Sequence, residues 1–210
     1  MAVITDFISL MNRQHGFARS ARYEVVLYPP KGINLPDHIS RDVSLQCDTV
    51  VMPGHDLQTH SAKYGTGLAT EMVDGHGFEG TIEATFYLDT NFETKSYFSL
   101  WQHAAINTAT NKVSYYKKID PIIGMETFSY AGTMEIYQLS SEAIQTIDGK
   151  ISGKEIRTYG TKVHDVYPAT ISATEYTYEQ AEAIQILTVG FNYRQHYPIN
   201  IHDGNKYPTI

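Results

Sequence analysis

The stretch from Thr81 to Trp101 constrains the fold most, because its periodicity changes within two residues. Ile82, Ala84, Phe86 and Leu88 alternate with Thr81, Glu83, Thr85 and Tyr87, the period of a strand with one buried face. Thr90 then fits a helix N-cap, with Glu93 as the third helical position of a capping box. Phe98, Trp101 and Ala105 follow at helical spacing and form one packing face. A strand thus hands over to a helix docked on a β-rich body. No catalytic residue type stands at the junction, which points to a building block and away from an enzyme.

The remaining text is mostly strand-like. Sixteen tyrosines in 210 residues favour pleated surfaces, where broad side chains pack well. Arg22 to Tyr28 reads as a strand ended by Pro29-Pro30-Lys31-Gly32. Val43 to Met52 begins with alternation and meets Pro53-Gly54, so it is predicted as a second strand. His55 to Gly80 is polar and punctuated by glycine, and reads as a long hairpin or protruding loop with strand pieces near Leu57 to Ala62. Lys112 to Lys118 suits a short edge strand or extended loop. Gly132 to Leu139 is a strand with Met134 and Ile136 inward and Thr133, Glu135 and Tyr137 opposite.

Glu155 to Val166 is a further strand, and Ile184 to Tyr193 the last strong one. There Leu187, Val189, Phe191 and Tyr193 share a face, and a bulge near Leu187 would bring Ile184 and Ile186 into phase. Ala2 to Met11 carries Asp6 and no basic n-region, unlike a signal peptide, and is predicted as a short helix burying Ile4, Phe7, Ile8 and Met11. No run approaches the apolar length of a membrane span. One mainly β domain of about seven strands, a sandwich or barrel with a flanking helix and a short N-terminal helix, accounts for residues 1–210.

Candidate chemistry is thin. His55, His60 and His76 lie near Glu71 and Asp74, but their spacing matches no tight ligand pair, and they read as solvated loop histidines. Gly65-Thr-Gly67 and Gly75-His-Gly77 lack the lysine of a phosphate loop and read as turn glycines. There is no G-x-S-x-G elbow. Glu83 and Glu135 sit on polar strand faces as solvated charges. Cys47, the single cysteine, excludes an internal disulfide and is in phase with Val43 and Leu45, as a small buried hydrophobe would be. A formal net charge of −7 without a basic stripe argues against gripping nucleic acid. No cofactor or metal is expected. Sparse charge along 43–52 and 131–138 leaves sheet edges to be finished by neighbouring copies.

The ordered set of segments resembles the tail tube proteins of contractile-tailed, myovirus-type bacteriophages. The resemblance is carried by Gly16-Phe-Ala-Arg-Ser-Ala-Arg-Tyr-Glu-Val-Val-Leu27, Val43-Ser-Leu-Gln-Cys-Asp-Thr-Val-Val-Met-Pro53, and the strand and helix ending in Phe-Ser-Leu-Trp101. It continues through Tyr115-Tyr-Lys-Lys118, Gly132-Thr-Met-Glu-Ile-Tyr137, Val166-Tyr-Pro168 and Gln185-Ile-Leu-Thr-Val-Gly-Phe-Asn-Tyr193. It spans residues 16–195; insertions near 140–153 and 169–181 and a tail at 196–210 go beyond it.

The resemblance implies a major tail tube subunit: a non-enzymatic virion protein forming stacked hexameric rings whose lumen conducts DNA into the host during ejection. The implied partners are further copies of itself, the tail sheath, the tape-measure protein, and the baseplate and tail-terminator proteins, with DNA passing unbound. The implied location is the virion tail, assembled in the bacterial host cytoplasm. By position, Gln46, Asp48, Thr133 and Glu135 are lumen candidates, and His55, His60, Lys63 and Tyr64 are ring-stacking candidates. Phe98, Trp101 and Ala105 are the helix packing face. Two readings compete: a baseplate tube-initiator of the same fold, and a monomeric β-barrel binding a small ligand, or a metal through His55, His60 and His76.

Overall fold

The computed structural model describes residues 2–13, 17–31, 33, 37–63, 65–78, 80–119, 121, 126–139, 157–174, 176 and 184–199. The chain runs α1 (Ala2–Arg13), β1 (Tyr23–Tyr28), α2 (Asp37–Leu45), β2 (Cys47–Val50), β3 (His55–Ala62), β4 (Thr70–Phe78), β5 (Thr81–Tyr87) and α3 (Glu93–Ala105). It continues with β6 (Ile106–Asn107), β7 (Lys112–Val113), β8 (Lys117–Ile119), β9 (Glu126–Ser129), β10 (Gly132–Leu139), β11 (Arg157–Ile171), β12 (Ile186–Asn192) and β13 (Gln195–Ile199).

Seven strands make the body, in the order β1-β10-β11-β12-β5-β2, with β13 also on β11. The long strand β11 serves two half-sheets. Its residues 160–164 pair with β13, and its residues 167–171 pair with β12. Between them the chain turns a corner: Asp165 has φ 59°, Pro168 lacks a donor, and the register shifts between Pro168 and Thr170. The halves fold over one core. Val25, Leu27, Met134, Ile136, Val163 and Val166 come from the first, and Ile82, Ala84, Phe86, Leu187, Val189 and Phe191 from the second.

Helix α3 completes this core with Phe98 and Trp101, both fully buried; Ala105 is half-buried at the end of that face. Phe98 lies 4.9 Å from Phe86 and 5.7 Å from Phe191 between ring centroids. Trp101 Nε1 donates to the Tyr130 carbonyl at 2.7 Å, giving its polar edge a partner. Its ring packs so closely on Gly132 that a Cβ there would stand 2.8 Å from the indole and 2.5 Å from the Tyr28 carbonyl. Only glycine fits.

The helix start differs from the sequence expectation. Phe92 holds the N-cap position in a left-handed conformation and makes no side-chain cap bond. The cap is supplied by Asp89, whose carboxylate accepts from the Glu93 and Thr94 amides at 3.2 and 3.3 Å. A turn in which the Phe92 amide bonds the Asp89 carbonyl brings that side chain under the helix and leaves Thr90 outside.

Three other expectations are corrected. Val43 and Leu45 belong to α2, and the second strand starts only at Cys47. Ile39 and Val43, four apart, give this helix its inward face, while the i, i+2 coincidence of Val43 and Leu45 mimics a strand. No bulge occurs near Leu187: β12 pairs with β5 in unbroken register, and Ile184 and Ile186 simply face outward at 70% and 47% exposure. The α1 residues Ile4, Phe7 and Ile8 are 67%, 52% and 54% exposed and find no cover in one copy, and the Met11 side chain lies outside the described residues. The insertion at 140–153 and the tail beyond 199 also lie outside them.

Candidate assembly surfaces: a polar sheet face and a projecting hairpin

The face of β1, β10, β11 and β13 turned away from the core is polar and tightly interlocked. Alternation sends Met134 and Ile136 inward and puts Thr133, Glu135 and Tyr137 on this face. The register then sets Lys162 beside Glu135, and their side chains meet at 2.8 Å. The Tyr137 and Tyr28 hydroxyls donate to the same carboxylate at 2.8 and 3.2 Å. Glu135 is therefore 8% exposed, unlike the solvated charge expected from sequence. Burial pushes its pKa up, but the bonds from Lys162 and Tyr137 outweigh that and leave it below the ordinary glutamate value.

Arg157 closes one end of this face, donating to both Glu24 oxygens at 2.8 and 3.0 Å with its guanidinium 3.9 Å over the Tyr137 ring. His164 and Tyr197 stack and share a 2.5 Å bond at the other end. Burial, then the Lys162 charge, holds the His164 pKa below its usual range, so it is neutral at pH 7. The charges Glu24, Arg157, Glu135 and Lys162 balance pairwise.

The lumen candidates divide. Thr133 and Glu135 stand together on β10, whereas Gln46 and Asp48 sit at the far edge of the sheet, around β2. The Gln46 amide oxygen accepts from Thr94 of α3. Asp48 accepts from the Tyr87 hydroxyl at 2.5 Å, and its carbonyl, with that of Cys47, receives the Tyr23 hydroxyl. Tyr23 thereby ties edge strand β1 to edge strand β2. Burial, then Asp48, pushes the Cys47 thiol up to about 12, the behaviour of a packing residue.

The hairpin β3–β4 is the second surface. Eight rungs join its strands, yet nearly every side chain is exposed, including Leu57 at 61%, Val73 at 60% and, in the connecting loop, Leu68 at 96%. His60 Nδ1 meets Asp74 at 2.5 Å midway along it. Lys63 is exposed near the tip, and Tyr64 lies outside the described residues. Among the described residues only the root is anchored. The His55, His76 and His196 rings surround Phe78 at centroid distances of 5.2, 5.0 and 5.0 Å, and His196 Nε2 meets the Gly54 carbonyl at 3.0 Å. The three metal-reading histidines do not converge: His55 stacks on His76, while His60 faces Asp74. Among the described residues no three His, Cys, Asp or Glu side chains gather as a metal site needs.

Sequence reasoning missed Lys162, Arg157 and His196. The first two were findable only by pairing β10 with β11. His196 opens the tail at 196–210, beyond the span of the resemblance.

This fold is shared with chains solved within contractile injection systems. The chain overlays with a TM-score of 0.56 on a subunit in the cryo-EM structure of the anti-feeding prophage baseplate, at 9% identity, covering 89% of this chain and 97% of that one. It overlays at 0.51 on a chain of the anti-feeding prophage tube-terminating cap, and at 0.50 on one of the sheath–tube complex of an extracellular contractile injection system. Both are 10% identical, with 87% of this chain and 90% of the other covered. These likenesses show the fold alone. A family model for phage tail tube protein matches residues 18–199, and the chain belongs to that family. No curated protein matches it in sequence.

Proposed function

We propose that this chain is the major tail tube subunit of a contractile tail, closing into hexameric rings that stack into a hollow conduit for DNA. The observation that carries the reading is the hairpin β3–β4, a long apolar-studded projection anchored, among the described residues, at its root alone. A two-stranded hairpin is marginal by itself and gains stability when another surface covers it. A partner copy in the next ring supplies that surface, through contacts that include Leu57, Val73 and, near the tip, Lys63. Ring stacking of this head-to-tail kind propagates into a tube.

The lumen is assigned to the polar face of β10 and β11, with Thr133 its half-buried, more accessible position and Glu135 its buried strut. Asp48 and Gln46 border it from the β2 edge. Paired charges on that face, and a formal charge of −42 per ring from six times −7, keep DNA sliding and unbound. The role is structural, without catalysis. The sheath, tape-measure, baseplate and terminator proteins are its partners in a virion tail built in the host cytoplasm.

Two measurements test this. Native mass spectrometry is expected to find a species of about 142 kDa, six times the 23.7 kDa chain. Thr133→Lys adds six cations to each ring and slows DNA ejection; ejection at the wild-type rate overturns the lumen assignment.

A further inference from the structure

Two unpartnered features of this chain fit each other. The first is the α1 stripe of Ile4, Phe7 and Ile8, all more than half exposed, with Phe7 touching the equally bare Phe17 at 6.3 Å between rings. The second is an open groove of about 770 Å³ between β1 and α2, lined by Val25, Leu27, Leu45, Cys47 and Arg41. Leu45 stands 72% exposed on its rim.

The groove also borders an unfinished sheet edge. Even residues of β1 turn their backbone toward β10, as the Arg22 carbonyl does in accepting from the Leu139 amide. Odd residues turn outward, and at Leu27 helix α2 covers the edge: Ser44 receives its amide at 3.1 Å, and Ser40 donates to its carbonyl at 2.6 Å. By the same alternation the Val25 and Tyr23 backbone faces the groove beyond those serines, an edge that folded proteins cover with a helix or a strand. Charge agrees as well. Asp6 on α1 and Arg41 in the groove have no ion pair among the described residues, while Glu24 and Arg157 beside them satisfy one another.

We propose that α1 of one copy lies in the β1–α2 groove of another, its apolar stripe on Leu45 and Tyr23 along the open β1 edge and Asp6 against Arg41, so that copies are strapped together by exchanged helices. The occupant is a second copy because the single chain leaves the two apart. Only seven residues separate Arg13 from Ala21, eight Cα steps or about 27 Å at full extension, so its own groove is within reach, yet no described α1 side chain lines it. The inference rests on the self-assembly proposed above.

The test uses full-length chains in a Cys47→Ser background, one carrying Phe7→Cys and the other Leu45→Cys, mixed and treated with a short bismaleimide. The expected result is a cross-linked dimer only when both variants are present. In parallel, Ile8→Asp, at an exposed position, is expected to weaken assembly about tenfold or more while leaving the monomer's melting unchanged. Tubes that form without any cross-link overturn helix exchange and leave the tube reading standing. An intrachain link in the doubly substituted chain at high dilution, without the dimer, assigns the helix to its own groove and overturns exchange. A wild-type chain that stays monomeric, with no link formed in the mixed variants, removes both.

Discussion

The body and the hairpin are built from the same kind of antiparallel pairing and differ in what lies beneath it. Under the body's strands, Trp101, Phe98, Phe86 and Phe191 fill a core with less than 1% exposure each. Under β3–β4 nothing is buried along most of the length, and only the His55, His76, Phe78 and His196 rings at the root hold it. Backbone ladders alone contribute modestly, since folding exchanges them for bonds to water. The body therefore stands by itself, and the hairpin holds its apolar side chains ready for another surface.

That contrast breaks most readily in the body. Trp101→Ala removes the largest buried side chain and orphans the Tyr130 carbonyl, and is expected to cost about 3–5 kcal/mol in chemical denaturation, a large part of a domain's stability. A loss below 1 kcal/mol would mean that α3 is not the keystone of this core.

Next comes the polar face. Glu135→Ala strands Lys162 and two tyrosine hydroxyls and is expected to cost about 2 kcal/mol, less than a fully buried pair because Lys162 keeps partial exposure. Glu135→Leu with Lys162→Met is expected to recover most of that loss. If the double change is as damaging as the single one, the network matters for more than mutual satisfaction.

The Asp89 cap is smaller, about 1 kcal/mol on Asp89→Ala. Burial raises its pKa, but the amide bonds from Glu93 and Thr94 outweigh that and set it below the ordinary 3.8. Its contribution is thus complete above that value and fades as pH falls through the depressed one. The melting curves of wild type and Asp89→Ala are expected to converge in acid; a gap that persists there would contradict the cap.

The smallest stability effect belongs to the hairpin and sharpens the comparison most. Leu57→Asp with Val73→Asp is expected to move subunit stability by no more than about 0.5 kcal/mol and to abolish tube formation in a pelleting assay. Intact assembly would show that these side chains are ordinary surface.

The body was more legible in the sequence than the surfaces. The passage from β5 to α3 announces itself because strand and helix periods are local properties of Ile82 to Trp101. So was the inward set of Met134 and Ile136. Helix α2 was misread because Val43 and Leu45 sit two apart. Pro36-Asp37 ahead of Ile39 and Val43 offered the helical alternative, with Ser40 and Ser44 on the stripe that meets β1. The burial of Glu135 was hidden for a different reason: it depends on Lys162, Tyr28 and Tyr137, which only strand register brings together. Exposure of the α1 stripe was not legible either, since amphipathic spacing gives a helix an apolar face without saying which molecule covers it.

Electron microscopy of the purified full-length protein across a concentration series tests the central claim most directly. Six-fold rings that stack into hollow tubes are expected, with the hairpin of each copy resting on the adjoining ring. A chain that remains a featureless monomer at the highest concentration, or closes into assemblies without a central channel, would contradict the account.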